Sequence, residues 1–171
     1  MAGPVVYEAS VPFFTKALKS QLKLLELSEA WCRENNHNDS RLTTATLAND
    51  MSSLPFHVEF CTYNAVQALI DLGVVDVESP SIEGEDQTFD QLINRVQTSL
   101  DILESAAQES FLGKESMTVN VHLGTFSLDR DALRYLHEIS LPSFWFHHSM
   151  IYSILRSQGV PLSKQLFLSA W

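Results

Sequence analysis

With 171 residues, 45% of them hydrophobic and 19% charged, the chain reads as one globular domain over 1–171. It is long enough to bury about two-thirds of its extended surface, and wholesale disorder is excluded. The formal charge of −10, with 11 scattered Lys and Arg residues, speaks against a surface that tracks nucleic-acid phosphates or an anionic membrane. No apolar run reaches about 18 residues, so no membrane insertion is expected.

The opening "MAGPVVYEAS" lacks a basic n-region and a long apolar stretch, which points to a cytoplasmic protein. Cys32 and Cys61 then read as reduced, buried thiols. From Val11 to Cys32 the apolar residues Val11, Phe14, Leu18, Leu25 and Cys32 recur at helical spacings, leaving Lys16, Lys19, Lys23 and Glu26 for the wet side. "NNHNDS" breaks this helix. A second helix is expected from about Asp50 to Leu72, with Pro55 in its first turns and Gly73 as its stop. The acidic stretch "VVDVESPSIEGEDQ" reads as a surface loop.

Thr88 and Gln91 have the form of a capping box, which starts a third helix at Phe89 with Leu92, Val96, Leu100, Leu103 and Ala107 inward. In "MTVNVHLGTFSL" Thr118, Asn120 and His122 alternate with Val119, Val121 and Leu123, the pattern of a short β-hairpin. The last helix is expected from about Asp129 to Gln158, interrupted near Pro142 and ended by Gly159. The fold class is therefore all-α: an up-down four-helix bundle with a short β-hairpin before the last helix.

Candidate chemistry gathers on the second and last helices. His57, Cys61 and Asn64 form a stripe at i, i+4 and i+7, and Tyr63 adds a phenol. On the last helix His147 and His148 lie about 100° apart, and a kink at Pro142 would open a space lined by Phe144, Trp145 and Phe146. Tyr152 adds a second phenol. A histidine on an apolar helix face is more often a core residue than a ligand, and aromatics at helical spacing are usually core packing. Two neutral-range histidines from two helices, close to a proline break, favour the functional reading. Metal motifs are missing: the sequence has no C-x-x-C, H-E-x-x-H or H-x-x-x-H.

"LPSFWFHHSMIYSILRSQGVPLSKQLFL", with "YEASVPFF" and "LANDMSSLPFHVEF" upstream, resembles a domain-of-unknown-function family with bacterial and fungal members in the DinB-like superfamily. The resemblance runs from about Tyr7 to Leu168. It implies an up-down bundle, often dimeric, with a pocket between helices. In the wider superfamily that pocket commonly holds a divalent metal on three histidines. His57 and His147 take two of those places, but the third falls on Ser143. The resemblance thus implies a retuned site with no metal and no cofactor.

The expected function is a cofactor-independent enzyme of specialised metabolism, of the isomerase or cyclase type. It would act on a hydrophobic small molecule, by acid/base-assisted isomerisation or an intramolecular, Diels–Alder-like closure. His57, His147, His148 and Tyr63 are its candidate catalytic residues. Phe14, Phe60, Asn64, Phe144, Trp145 and Tyr152 are its candidate substrate-binding residues, and a homodimer is its expected assembly. A non-catalytic binding protein and a DinB-like metal-dependent transferase are the alternatives.

Overall fold

The computed structural model describes residues 3–84 and 87–168, so Glu85 and Asp86 of the acidic stretch lie outside the described residues. A short α1 (Val5–Glu8) precedes the long α2 (Val11–Glu34), and a one-turn α3 (Ser40–Thr43) leads into α4 (Leu54–Asp71). Then come α5 (Phe89–Ser105), the antiparallel strands β1 (Thr118–Leu123) and β2 (Phe126–Asp131), and α6 (Ala132–Tyr135). A π-helical turn, Leu136–Ser140, joins α6 to α7 (Leu141–Ser157), and α8 (Lys164–Leu168) ends the described chain. The protein is mostly helical with a small two-stranded hairpin, and no described helix is long and apolar enough to cross a membrane.

Local chemistry explains the boundaries. α4 starts at Leu54, later than the expected Asp50, because a proline deeper in a helix would lack its N–H bond and clash one turn back. Thr88 and Gln91 form the full capping box of α5. Ala107, expected on its inward face, lies past its end and is exposed, while Ala106 is buried. Val119 and Val121 are buried and Thr118, Asn120 and His122 exposed, as the alternation requires; the Leu123 side chain lies outside what is described. β2 runs on to Asp131, which caps α6 by accepting from Arg134 N at 3.0 Å. The last helical run therefore begins at Ala132, not Asp129. Its interruption falls just ahead of Pro142, where the wider π turn accommodates a residue without an N–H. Gly73 and Gly159, at φ 60° and 98°, close α4 and α7 with paired Schellman bonds. Val74 N reaches Leu69 O at 3.1 Å and Val160 N reaches Leu155 O at 3.2 Å.

The four long helices α2, α4, α5 and α7 pack around a core that includes Phe14, Leu18, Leu25, Val58, Leu69, Leu92, Val96, Ile151 and Leu155. Their directions correct the expected simple alternation. Phe14 meets Phe144 near the starts of α2 and α7, and Trp31 lies beside Gly159 near their ends, so these two run parallel. Tyr7 meets Phe111, and Lys19 pairs with Glu104, so α5 runs against α2. Asn64 bonds Ser143 while His57 bonds His147, so α4 runs against α7. α4 and α5 are therefore parallel, and the order is up, down, down, up. The acidic loop makes this possible by running back along α4: Gly84 N donates to Glu59 Oε2 at 2.8 Å, in the second turn of that helix. α4 is about 27 Å long, well within the reach of the 17 residues, 72–88, that separate it from α5.

Candidate functional site

His57, Phe60, Asn64, Gln67 and Asp71 recur on α4 at spacings of three and four, so they share one face. The facing stripe comes from Tyr135, Ile139, Ser143 and His147 on α6, the π turn and α7. The upper part of this interface is closed. Nδ1 of His57 and Nδ1 of His147 lie 2.9 Å apart, both rings are buried, and one shared proton must sit between them. Phe60 stacks on His147 at 4.2 Å, and Phe56 packs against both imidazoles. Burial lowers the His57 pKa, with the Ser52 backbone offsetting part of the effect. Its Nε2 is nonetheless buried without a hydrogen-bond partner. His147 is pulled down to about 4, by burial first and by its neighbour His57 second.

Below Phe60 the same interface opens into a cavity of about 580 Å³. Phe60, Tyr63, Asn64, Gln67 and Asp71 form one wall, and Tyr135, Ile139, Ser140 and Ser143 form the opposite one. Asn120, Val121 and His122 of β1 close one side, and Ile82 of the crossing loop contributes another contact. The polar groups are organised. Asp71 accepts from Tyr135 Oη at 2.6 Å and from Gln67 Nε2 at 2.7 Å. Asn64 Nδ2 donates to the Phe60 carbonyl at 2.9 Å and to Ser143 Oγ at 3.3 Å. The Ser143 and Tyr63 hydroxyls have no acceptor among the described residues. Burial and then the Asp71 charge raise the Tyr63 pKa, which keeps this phenol protonated at neutral pH. Tyr135 is raised further, by burial, the Asp71 charge and the hydrogen bond to it.

The sequence-predicted residues divide between two places. Phe60, Tyr63 and Asn64 line the cavity, and His57 and His147 face each other behind Phe60. His148 turns the other way. It is fully buried between Phe144 and Phe167, with the Trp145 edge at 5.5 Å and no hydrogen-bond partner for either ring nitrogen. Phe14, Phe144, Trp145 and Tyr152 belong to this aromatic layer and not to the cavity, and Phe146 is exposed, so Pro142 opens no space among the three aromatics after it. Asp71, Tyr135, Gln67 and His122 line the cavity and were not among the candidates. The polar residues that continue the His57 stripe toward Gly73 carried the signal for Gln67 and Asp71.

The three-histidine metal site that the sequence resemblance brings into question does not fit these residues. The Nδ1 atoms of His57 and His147 bond each other directly, leaving Nε2 of His57 buried without a partner, and the third place is a serine hydroxyl already engaged by Asn64. Among the described residues no group of three or more His, Cys, Asp or Glu is arranged to hold a metal ion.

Comparison with known proteins agrees with this architecture. A DinB family member protein from Shewanella denitrificans superposes with a TM-score of 0.81 at 23% identity, over 95% of this chain and 90% of that one. At that identity the likeness establishes the fold alone. A comparison with curated proteins gives no match. The model of the family described as "Domain of unknown function (DUF1993)" matches residues 6–168, and the chain belongs to that family.

Proposed function

We propose that this protein is a cofactor-independent enzyme that isomerises or cyclises a small, largely apolar molecule held in the 580 Å³ cavity. One observation carries the reading: the Tyr63 and Ser143 hydroxyls, without acceptors among the described residues, line a cavity with Phe60, Ile82, Val121 and Ile139. A carbonyl oxygen lodged there would accept from both. Such donors stabilise the negative charge that develops on oxygen as a double bond shifts or a ring closes, and removing one typically costs about 100- to 1,000-fold. The apolar walls would hold a flexible substrate folded, which supplies further acceleration. Asn64 fixes the Ser143 hydroxyl by donating to its oxygen, leaving the serine proton free for substrate.

The wider reading is a single-domain, cytoplasmic homodimer of specialised metabolism. The two free, buried thiols Cys32 and Cys61 support the compartment, and the exposed Phe13 and Phe146 support the dimer. Light scattering at micromolar concentration tests that assembly. A second reading, a non-catalytic carrier, is favoured by the placement of His57 and His147 behind Phe60 rather than on the cavity wall.

The experiment is to release small molecules from gently isolated protein, identify them by mass spectrometry, and return them to fresh protein in excess. More than one product molecule per chain is expected. Tyr63→Phe or Ser143→Ala should lower kcat about 100-fold, with little change in KM. Recovery of the same compound unaltered, at one per chain, would leave the carrier reading in place.

A further inference from the structure

The cavity wall holds one acidic side chain, Asp71, and its setting is unusual. Asp71 is the last residue of α4, where the helix dipole presents its negative end and a carboxylate is disfavoured. Two neutral donors, Tyr135 and Gln67, each occupy one acceptor position on this carboxylate. Up to two further positions remain. Among the described residues Asp71 makes no ion pair, and none of those lining the cavity is Lys or Arg. Three aromatic rings, of Phe60, Tyr63 and Tyr135, stand around the same space. Lys114 Nζ already donates to the Gly73 carbonyl just beyond the helix end, at 3.3 Å, so within the cavity it is the carboxylate and the aromatic rings that favour positive charge.

We propose that the cavity recognises a small molecule carrying a protonated nitrogen, with Asp71 as its counter-charge and the three aromatic rings as its walls. The inference rests on the cavity being the substrate site and names the class of substrate: an amine with an apolar body. Tyr63 and Ser143 would address an oxygen of the same molecule, nearer α7, while Asp71 anchors its nitrogen at the far end of α4.

Three isosteric probes test it on the full chain: tryptamine, tryptophol and indole-3-acetate, which place a cation, a neutral hydroxyl and an anion on similar short side chains. Binding is read by calorimetry, and location by shifts of the Val121 and Ile139 methyl signals. Tryptamine should bind at least about tenfold more tightly than tryptophol, with indole-3-acetate weakest. Asp71→Asn should remove the preference of amine over alcohol. Tyr135→Phe, which frees an acceptor position on Asp71, should retain or increase it. If alcohol or acid moves those methyls with affinity equal to the amine, the cation inference falls and the cavity stands as a binding site. The inference also falls if Asp71→Asn keeps the preference or, where that variant does not fold, if Tyr135→Phe loses it. If no probe moves the methyls at millimolar concentration, the substrate-site reading falls with it.

Discussion

His147 and His148 are neighbours in the chain and occupy opposite environments. His147 looks toward α4, shares a proton with His57 and stacks on the ring that closes the cavity. His148, about 100° further round, enters a dry layer of Phe144, Trp145 and Phe167 in which neither nitrogen finds a partner. Burial is the first cause of the low pKa of both, each pulled down to about 4. The second causes differ: a neighbouring imidazole for His147, and for His148 an opposing effect of the Phe167 backbone. One side of α7 is thus a hydrogen-bonded interface that opens onto a cavity. The other is an apolar layer holding a polar ring that it does not satisfy.

The largest expected effect comes from that unsatisfied ring. The unfolded chain binds a proton on His148 near its ordinary value of 6.5, whereas the folded chain resists until about pH 4. Its contribution is therefore present in full above pH 6.5 and is lost as the pH falls toward 4. The loss amounts to about 3 kcal/mol. His148→Leu should remove its own share of the acid-side loss across that window, leaving the share of His147 and His57, and at neutral pH should stay within about 1 kcal/mol of the parent. An apolar group of similar size would replace an unpartnered polar one. Urea unfolding at a series of pH values measures this. An unchanged acid slope would mean that His148 is solvated or partnered in solution.

A smaller effect is expected across the aisle. Replacing His147 alone by Leu leaves the His57 ring buried with two unpaired nitrogens, which costs about 1–3 kcal/mol. Replacing both by Leu removes both desolvated partners together, so the double variant should lose clearly less than the two single losses added. A double-mutant cycle reads the coupling directly, and simple additivity would show that the 2.9 Å contact does not hold in solution. The pair backs Phe60 and does not line the cavity, so these variants should raise KM more than they lower kcat. A fall in kcat of about 100-fold or more would instead make the histidines the acid/base centre.

This division explains what could be read in advance. Helical period exposed α2, α4, α5 and α7, and the Thr88–Gln91 pair marked the start of α5 to the residue, because these signals are local. The direction of α5 was not legible. A loop long enough to turn is also long enough to cross back, and tertiary contacts such as Ser79 with Gln67 and Gly84 N with Glu59 decide between the two. The pairing of His57 with His147 was implied by the family resemblance, whereas helical spacing alone left the choice between His147 and His148 open. Asp71 was not legible, since an acidic residue at the end of a helix ordinarily looks solvated. Tyr135 was missed for another reason: the π turn at Leu136–Ser140 shifts its face relative to α7, and the sequence pattern shows only that something breaks near Pro142.

The smallest effect sharpens the comparison most, because it should move one histidine and not the other. Ser20 on α2 donates to the carbonyls of Leu166 and Phe167, at 2.9 and 2.8 Å. It thereby fastens α8 over His148, whose ring stacks on Phe167 at 4.6 Å. Ser20→Ala should cost only about 1 kcal/mol, spent mainly on loosening α8, so backbone amides of residues 164–168 should exchange faster while those of α4 keep their protection. Once Phe167 lifts away, water reaches the His148 ring and the burial that depresses its pKa is relieved. Its titration, followed by its ring-proton signals, should then move upward toward 6.5. His147, held by His57 and Phe60 on the opposite side of the same helix, should keep its own. If both histidines move together, the two sides of α7 are not independent and the serine acts on the whole helix; if neither moves, the Phe167 ring is not what keeps His148 dry.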